Sequence, residues 1–145
     1  MKIVVNTISL LTPLTGIGTY TYNLAKEFLR QRPELSYTFF RGYFTSNLLP
    51  LKEAQELLKI PFISFFAKRA KKFLFRLSLR SKEFDLYFEP NFIPLNIKAR
   101  KIVTTVHDFS FHLYPEWHPK SRVEYFRKNF FDRIRISDVV VTPSE

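Results

Sequence analysis

Short apolar runs that end in polar residues alternate with amphipathic segments along this chain. Five such runs predict strands, namely "KIVVN" at 2–6, "SYTFF" at 36–40, "FDLYFEP" at 84–90, "KIVTTVHD" at 101–108 and "DVVVTPSE" at 138–145. Helices are predicted between them at about 19–30, at 51–60 and at 119–137. Alternating strands and helices are typical of βαβ units with right-handed crossovers, so the predicted fold class is α/β with a parallel sheet.

Length and composition restrict the possibilities further. The chain has 145 residues, of which 46% are hydrophobic, and this suits one domain with its own core. It contains no cysteine, which excludes disulfides, thiolate metal sites and thiol nucleophiles, and which fits a reducing compartment. The first residues lack the cleavage site of a secretory signal, and no stretch reaches the roughly 20 apolar residues of a membrane-spanning helix. We therefore expect a cytoplasmic protein.

Two totals point to an anionic partner. The net charge is +10, and phenylalanine occurs 17 times. A basic and aromatic chain suits nucleic acid, an anionic membrane surface or phosphorylated ligands.

Two of the three glycines, Gly16 and Gly18, lie between the first strand and the first helix. A glycine at this position lets the backbone approach a ligand, and the following helix N-terminus favours phosphate. The segment "TGIG" lacks the third glycine of a dinucleotide fingerprint and the Gly-Lys-Ser/Thr of a P-loop. An ordinary strand-to-helix turn, with Thr19 as the N-cap, is the structural alternative.

Polar residues follow two other predicted strands. His107 and Asp108 end one, and Glu89 and Asn91 end another. Because ligands bind outside the carboxyl ends of strands in open α/β sheets, we expect these residues and the glycine loop to converge on one cleft. A histidine there can carry protons. The alternative is a strand-capping His107 with Asp108 as an N-cap, and we expect no zinc site because the spacing of the histidines matches no metal motif.

The segment "PFISFFAKRAKKFLFRLSLR" at 61–80 predicts a basic amphipathic helix. Large apolar side chains, among them Phe65 and Phe75, lie among its cations. We predict that this face contacts an anionic membrane surface. The assigned membrane-surface residues are Lys68, Arg69, Lys71, Lys72, Arg76, Phe65 and Phe75. A helix packed on the sheet with a solvated basic face is the alternative, and we do not expect nucleic acid as a partner because no nucleic-acid-binding motif accompanies the charge.

Four segments, in order, resemble the N-terminal half of a GT-B-fold glycosyltransferase of family 4. The segment "TGIGTYTYNLAKEF" is similar to the family's "GIGRYTRNLxxxL". The other three are "YFEPNFIPL", "VTTVHDFSFHLYPEWHP" and "VVVTPSE". The resemblance covers nearly the whole chain and implies a Rossmann-like domain with helices on both faces of the sheet, which binds the sugar acceptor.

The resemblance also implies roles for particular residues. Gly16 and Gly18 would reach towards the donor diphosphate, and His107 would contact the transferred sugar as the catalytic residue. The acceptor cleft is assigned to Thr19, Tyr20, Glu89, Asn91 and Asp108. Thr19 stands where the family commonly has arginine, and Thr15 replaces the first glycine of the paired form, so these contacts differ from the family's pattern.

The nucleotide-sugar domain of the resembled family has no counterpart in this sequence, so we expect the isolated chain to be inactive. The expected function is that of the acceptor-binding half of a glycosyltransferase, which moves a sugar from a nucleotide-sugar to a glycan or lipid-linked acceptor in bacterial envelope polysaccharide synthesis. The alternative is an inactive membrane-associated or regulatory module. We expect no cofactor or metal. The expected partners are the acceptor, the anionic inner face of the membrane, and a C-terminal domain or separate donor-binding subunit.

Overall fold

A computed structural model describes residues 1–11, 13–51 and 83–143 of the chain. Residues 52–60 of a predicted helix and the basic segment at 61–80 lie outside the described residues. The strands are β1 (Lys2–Asn6), β2 (Ser36–Phe40), β3 (Phe44–Thr45), β4 (Phe84–Glu89), β5 (Ala99–Thr105) and β6 (Val139–Val141). The helices are α1 (Gly16–Gln31), α2 (Ser110–Leu113) and α3 (Lys120–Ile134), and 3-10 turns cover Ile8–Leu11 and Pro115–Trp117.

The strands form one sheet in the order β3-β2-β1-β4-β5-β6. All neighbouring pairs are parallel except β2 with β3, which is antiparallel. The predicted α/β fold with a Rossmann-like, largely parallel sheet is therefore confirmed. The short β3 was not predicted, because a two-residue strand has too few residues to show a periodicity.

The centre of the sheet is buried on both faces. Val4 and Val5 point to opposite faces of β1 and are 0% and 1% exposed. On one face Val5 packs with Ala25 of α1 and with Phe39 and Phe88 of the neighbouring strands. This two-sided burial explains why β1 reads as a continuous β-branched run rather than as an alternation of apolar and polar residues.

Helix α1 begins at Gly16, three residues earlier than the sequence predicts, so the prediction of Thr19 as its N-cap is wrong. Thr15 is the N-cap, with extended backbone angles, and its hydroxyl accepts a hydrogen bond from the Gly18 N–H at 3.5 Å. Gly18 lies in the first turn, where an added Cβ would be 3.4 Å from the Ser9 carbonyl oxygen and 3.1 Å from Leu14 Cδ1. The helix therefore packs closely on the preceding 3-10 turn.

Helix α3 is attached to the loops that follow β4 and β5 by an aromatic cluster. The cluster consists of Phe92, Val106, Phe111, Phe126 and Phe130. The Arg133 guanidinium also donates a hydrogen bond of 3.3 Å to the Pro94 carbonyl. Strand β5 ends at Thr105, not at residue 108 as predicted. Val106 still donates to the Val141 carbonyl at 2.9 Å but is buried in this cluster, and the His107 ring bonds to the loop after β4. The cluster fixes α3 beside the carboxyl edge of the sheet.

Candidate functional site

A cleft of about 380 Å³ opens where the loops after β1 and β4 face α3. Its volume falls within the range of small-molecule sites. The lining residues are Asn6, Ile8, Ser9, Glu89, Asn91, Ile93, Leu95, Arg122, Tyr125 and Phe126. Because β1 and β4 are parallel neighbours, both loops leave the same edge of the sheet, which is where α/β domains bind ligands.

Glu89 is the centre of a buried hydrogen-bond network at the floor of this cleft. It is 1% exposed, and its Oε2 accepts from Asn6 Nδ2 at 2.7 Å and from the Tyr87 hydroxyl. Its Oε1 accepts from the Asn91 N–H at 3.0 Å. The same network holds both loops, since Asn6 Oδ1 accepts from the Ile8 N–H and the Tyr87 hydroxyl accepts from the Leu95 N–H.

The burial of Glu89 changes its acidity. Desolvation raises the pKa of Glu89 from its ordinary value of 4.5 to about 7, although the hydrogen bonds from Tyr87, Asn6 and Asn91 act in the opposite direction. Burial, together with the charge of Glu89, also raises the pKa of Tyr87 well above its ordinary value. Glu89 therefore exchanges its proton near neutral pH, while Tyr87 remains a hydrogen-bond donor.

The loop after β4 contains a backbone conformation that is rare for its residue type. Phe92 has a φ of 55°, and the Ile93 N–H donates to the Asn91 carbonyl at 2.6 Å, which closes a three-residue turn. The conformation is kept because Phe92 is 3% exposed and its ring lies 5.4 Å from that of Phe126. The turn places Asn91 at the surface of the cleft.

His107 lies two residues beyond β5, next to the same loop. Its Nε2 is 2.8 Å from the carbonyl oxygen of Pro90 and must donate to it, because a carbonyl can only accept. Its ring meets those of Tyr20 and Phe92 at centroid distances of 4.9 and 5.4 Å. Nε2 is thus committed, and among the described residues Nδ1 has no hydrogen-bond partner.

The predicted glycine-loop residues lie beside the cleft rather than in its lining. Gly16 is exposed, and outside its own helix backbone and chain neighbours no heavy atom of the described residues lies within 4 Å of an added Cβ. Gly18 is buried against the preceding turn. Tyr20 connects α1 to β5, since its hydroxyl is 3.2 Å from the Thr105 hydroxyl. Thr19 is exposed. The glycine loop, the His107–Asp108 pair and the Glu89–Asn91 pair were expected to converge on one cleft. Among them, only Glu89 and Asn91 line it, and His107 contacts the same loop at the Pro90 carbonyl.

Asp108 precedes the short helix α2 by two residues, and the alternative prediction of Asp108 as an N-cap is wrong, because the N-cap is Phe109. Asp108 Oδ1 accepts from the Ser110 N–H at 2.8 Å and from the Ser110 hydroxyl at 2.6 Å. Burial acts to raise the pKa of Asp108, but these hydrogen bonds outweigh it and the pKa is lowered. His118 Nε2 lies 2.9 Å from the Ser110 hydroxyl, which already donates to Asp108 and so must accept. This order of His, Ser and Asp does not activate a serine, because in a catalytic triad the histidine lies between the other two.

Two cleft residues, Arg122 and Tyr125, were not predicted from the sequence. Both lie on α3 together with Phe126, a spacing of three and four residues that places them on one side of the helix. This spacing was the feature of the sequence that could have predicted that these residues lie together. It did not identify the side that faces the sheet edge, because α3 carries basic and aromatic residues around much of its circumference.

Two features are absent from residues 1–11, 13–51 and 83–143. These ranges contain no group of three or more His, Asp or Glu side chains placed to hold a metal ion. They also contain no helix with the length and apolar character required to cross a membrane.

The fold and the cleft together define an α/β domain of Rossmann-like type with a polar cleft at the carboxyl edge of its sheet. The chain is 30% identical, over 158 aligned positions, to O-antigen chain mannosyltransferase B of Escherichia coli. The alignment covers 100% of this chain and 41% of that protein, so the chain spans about two fifths of its relative's length. No family model and no solved structure matches the chain. The chain is thus a distant relative of a glycosyltransferase.

Proposed function

We propose that this chain is the acceptor-binding part of a GT-B glycosyltransferase of family 4, acting in bacterial envelope polysaccharide synthesis. The observation that carries the proposal is the similarity to a mannosyltransferase along the whole of this chain. The proposed reaction transfers a sugar, with mannose as the first candidate, from a nucleotide-sugar to a glycan or lipid-linked acceptor.

The cleft suits a sugar because it offers hydrogen-bonding groups that the fold does not use. The Asn91 side chain and the Tyr125 hydroxyl line it, and neither makes a hydrogen bond to another described residue. The amide of Asn91 both donates and accepts, as does the phenol of Tyr125, so both can bind sugar hydroxyls. Glu89 acts behind them as a positioning residue, because its carboxyl fixes the backbone N–H of Asn91.

His107 is the proposed catalytic residue. With Nε2 bound to the Pro90 carbonyl, the ring is oriented so that Nδ1 is the nitrogen available to the transferred sugar. Gly16, whose surroundings are open, is proposed to approach the donor diphosphate more closely than a larger residue would allow. The donor itself would be held by a C-terminal domain or a separate subunit, and no metal or other cofactor is proposed.

The location follows from the same proposal. The protein would act in the cytoplasm, with a peripheral association on the inner face of the membrane. The residues proposed for that association belong to the basic segment at 61–80, outside the described residues.

The experiment is a transfer assay on the product of the complete reading frame, or on this chain combined with a nucleotide-sugar-binding subunit. Radiolabelled nucleotide-activated mannose, glucose and N-acetylglucosamine are offered separately with membranes that contain lipid-linked saccharides. Incorporation of label from one donor supports the proposal. If no donor gives incorporation while the protein binds liposomes, the proposal fails in favour of an inactive membrane-associated module.

A further inference from the structure

Arg122 supplies the charge that the cleft presents to a ligand. Among the described residues, Arg122 and Glu89 are the two charged ones in its lining. The carboxyl of Glu89 is 1% exposed and already accepts from Asn6, Tyr87 and Asn91. A ligand entering the cleft therefore meets a cation.

No carboxylate of the described residues neutralises Arg122 by forming an ion pair with it. The charge of Arg122 contributes to lowering the pKa of Asp108, but Oδ1 of Asp108 already accepts two hydrogen bonds from Ser110. The Arg122 guanidinium carbon lies 5.7 Å from the centre of the Phe126 ring, another residue of the cleft lining. This contact keeps the charge at the cleft and leaves the N–H groups of Arg122 open to an anion.

The fork of N–H donors on a guanidinium matches the oxygens of a phosphate better than it matches a neutral sugar hydroxyl. The unused groups of Asn91 and Tyr125 line the same cleft and suit hydroxyls. We propose that the acceptor is a phosphorylated saccharide, with its phosphate on Arg122 and its sugar hydroxyls on Asn91 and Tyr125. This inference rests on the proposed function. The phosphate belongs either to a lipid diphosphate linkage or to the glycan itself.

A binding experiment tests the site directly. The chain is titrated with mannose 1-phosphate, methyl α-mannoside and inorganic phosphate, and binding is followed by calorimetry. We expect mannose 1-phosphate to bind more tightly than either of the others. Arg122→Ala should weaken its binding about tenfold or more, and Arg122→Lys should weaken it less, because lysine keeps the charge but loses the fork.

Arg127→Ala is the matched control, since Arg127 is an exposed arginine of α3 that does not line the cleft. It should bind mannose 1-phosphate as the wild type does. Circular dichroism spectra of all three variants check the fold, and the lysine variant keeps the test valid if Arg122→Ala fails to fold. Equal binding of mannose 1-phosphate by wild type and both Arg122 variants would overturn the inference, as would inorganic phosphate binding as tightly as the sugar phosphate.

The transfer assay separates this inference from the proposed function. The assay uses three acceptors, namely a lipid diphosphate-linked saccharide, a phosphorylated soluble glycan and a neutral glycan. Arg122→Ala should raise KM about tenfold for a phosphorylated acceptor and leave KM for the neutral one unchanged. The acceptor that responds identifies the source of the phosphate. Equal effects on all three would refute the phosphate site and leave the glycosyltransferase standing. No transfer by the wild type would refute the function, while binding of mannose 1-phosphate dependent on Arg122 would still support an anion site.

Discussion

The side-chain amide of Asn6 donates a hydrogen bond of 2.7 Å to the buried carboxyl of Glu89, 83 positions further along the chain. The contact joins the ends of two neighbouring parallel strands at the floor of the cleft. Through the Asn91 N–H and the Ile8 N–H it also holds the loops that follow both strands. The Glu89 carboxyl therefore helps to fix the position of Asn91 without having to contact a ligand itself.

Glu89→Gln should change how stability varies with pH. Burial raises the folded-state pKa of Glu89 from 4.5 to about 7, so its contribution to stability is fully present below pH 4.5 and is lost as pH rises through 7. At about 1.36 kcal/mol per pKa unit, the loss is on the order of 3 kcal/mol. Urea unfolding of wild type and variant from pH 4.5 to 8 should show that the difference between their unfolding free energies shifts in favour of the variant as pH rises.

Glu83→Gln is the control for this measurement, because Glu83 is exposed immediately before the same strand. It should keep the wild-type dependence on pH. If Glu89→Gln keeps that dependence as well, Glu89 does not titrate near neutral pH in the folded protein.

Phe92→Gly and Phe92→Ala should differ in an unusual direction. Both lose a buried aromatic ring, at a cost of about 3–5 kcal/mol. At a φ of 55°, however, alanine retains the backbone strain and glycine does not. The unfolding free energy of the glycine variant should equal that of the alanine variant or exceed it by up to about 1 kcal/mol. In regular structure the order is the reverse, since glycine there costs about 0.5–1 kcal/mol relative to alanine. A glycine variant less stable than the alanine variant would argue against the left-handed conformation.

Gly16→Ala and Gly18→Ala separate a ligand-related glycine from a structural one. An added Cβ at Gly16 would meet no other side chain or turn of the described residues within 4 Å, so alanine should leave the melting temperature unchanged or raised. At Gly18 the Cβ would be 3.1 Å from Leu14 Cδ1 and 3.4 Å from the Ser9 carbonyl, so the melting temperature should fall. If Gly16 approaches the donor, Gly16→Ala should lower sugar transfer without lowering stability. Full transfer activity in that variant would leave Gly16 no role at the site.

The sequence was sufficient to predict the parts of the fold that depend on local pattern. The β-branched run that forms β1 is buried on both faces, as such runs usually are. The start of α1 could not be read locally, because Thr15 and Thr19 are both acceptable N-caps and the choice depends on how Gly18 packs on Ser9. Arg122 was missed because only the packing of α3 on the loop after β4 decides that this residue faces the cleft.

His107→Gln separates the proposed catalytic role of His107 from its structural role. A glutamine amide can still donate to the Pro90 carbonyl in place of Nε2, but it supplies no counterpart of the Nδ1 nitrogen. Both His107→Gln and His107→Ala lose the ring contacts with Tyr20 and Phe92, but only the glutamine variant keeps the hydrogen bond. Its melting temperature should therefore lie between those of the wild type and His107→Ala.

Sugar transfer by wild type and His107→Gln, measured side by side on the product of the complete reading frame, tests the central claim most directly. The account predicts transfer from one nucleotide-sugar to an acceptor by the wild type, and a rate lower by about 100-fold or more in the variant despite its unchanged fold. Equal rates in the two proteins would remove His107 from the mechanism. Absence of transfer by the wild type with every donor would contradict the assignment of this chain to a glycosyltransferase.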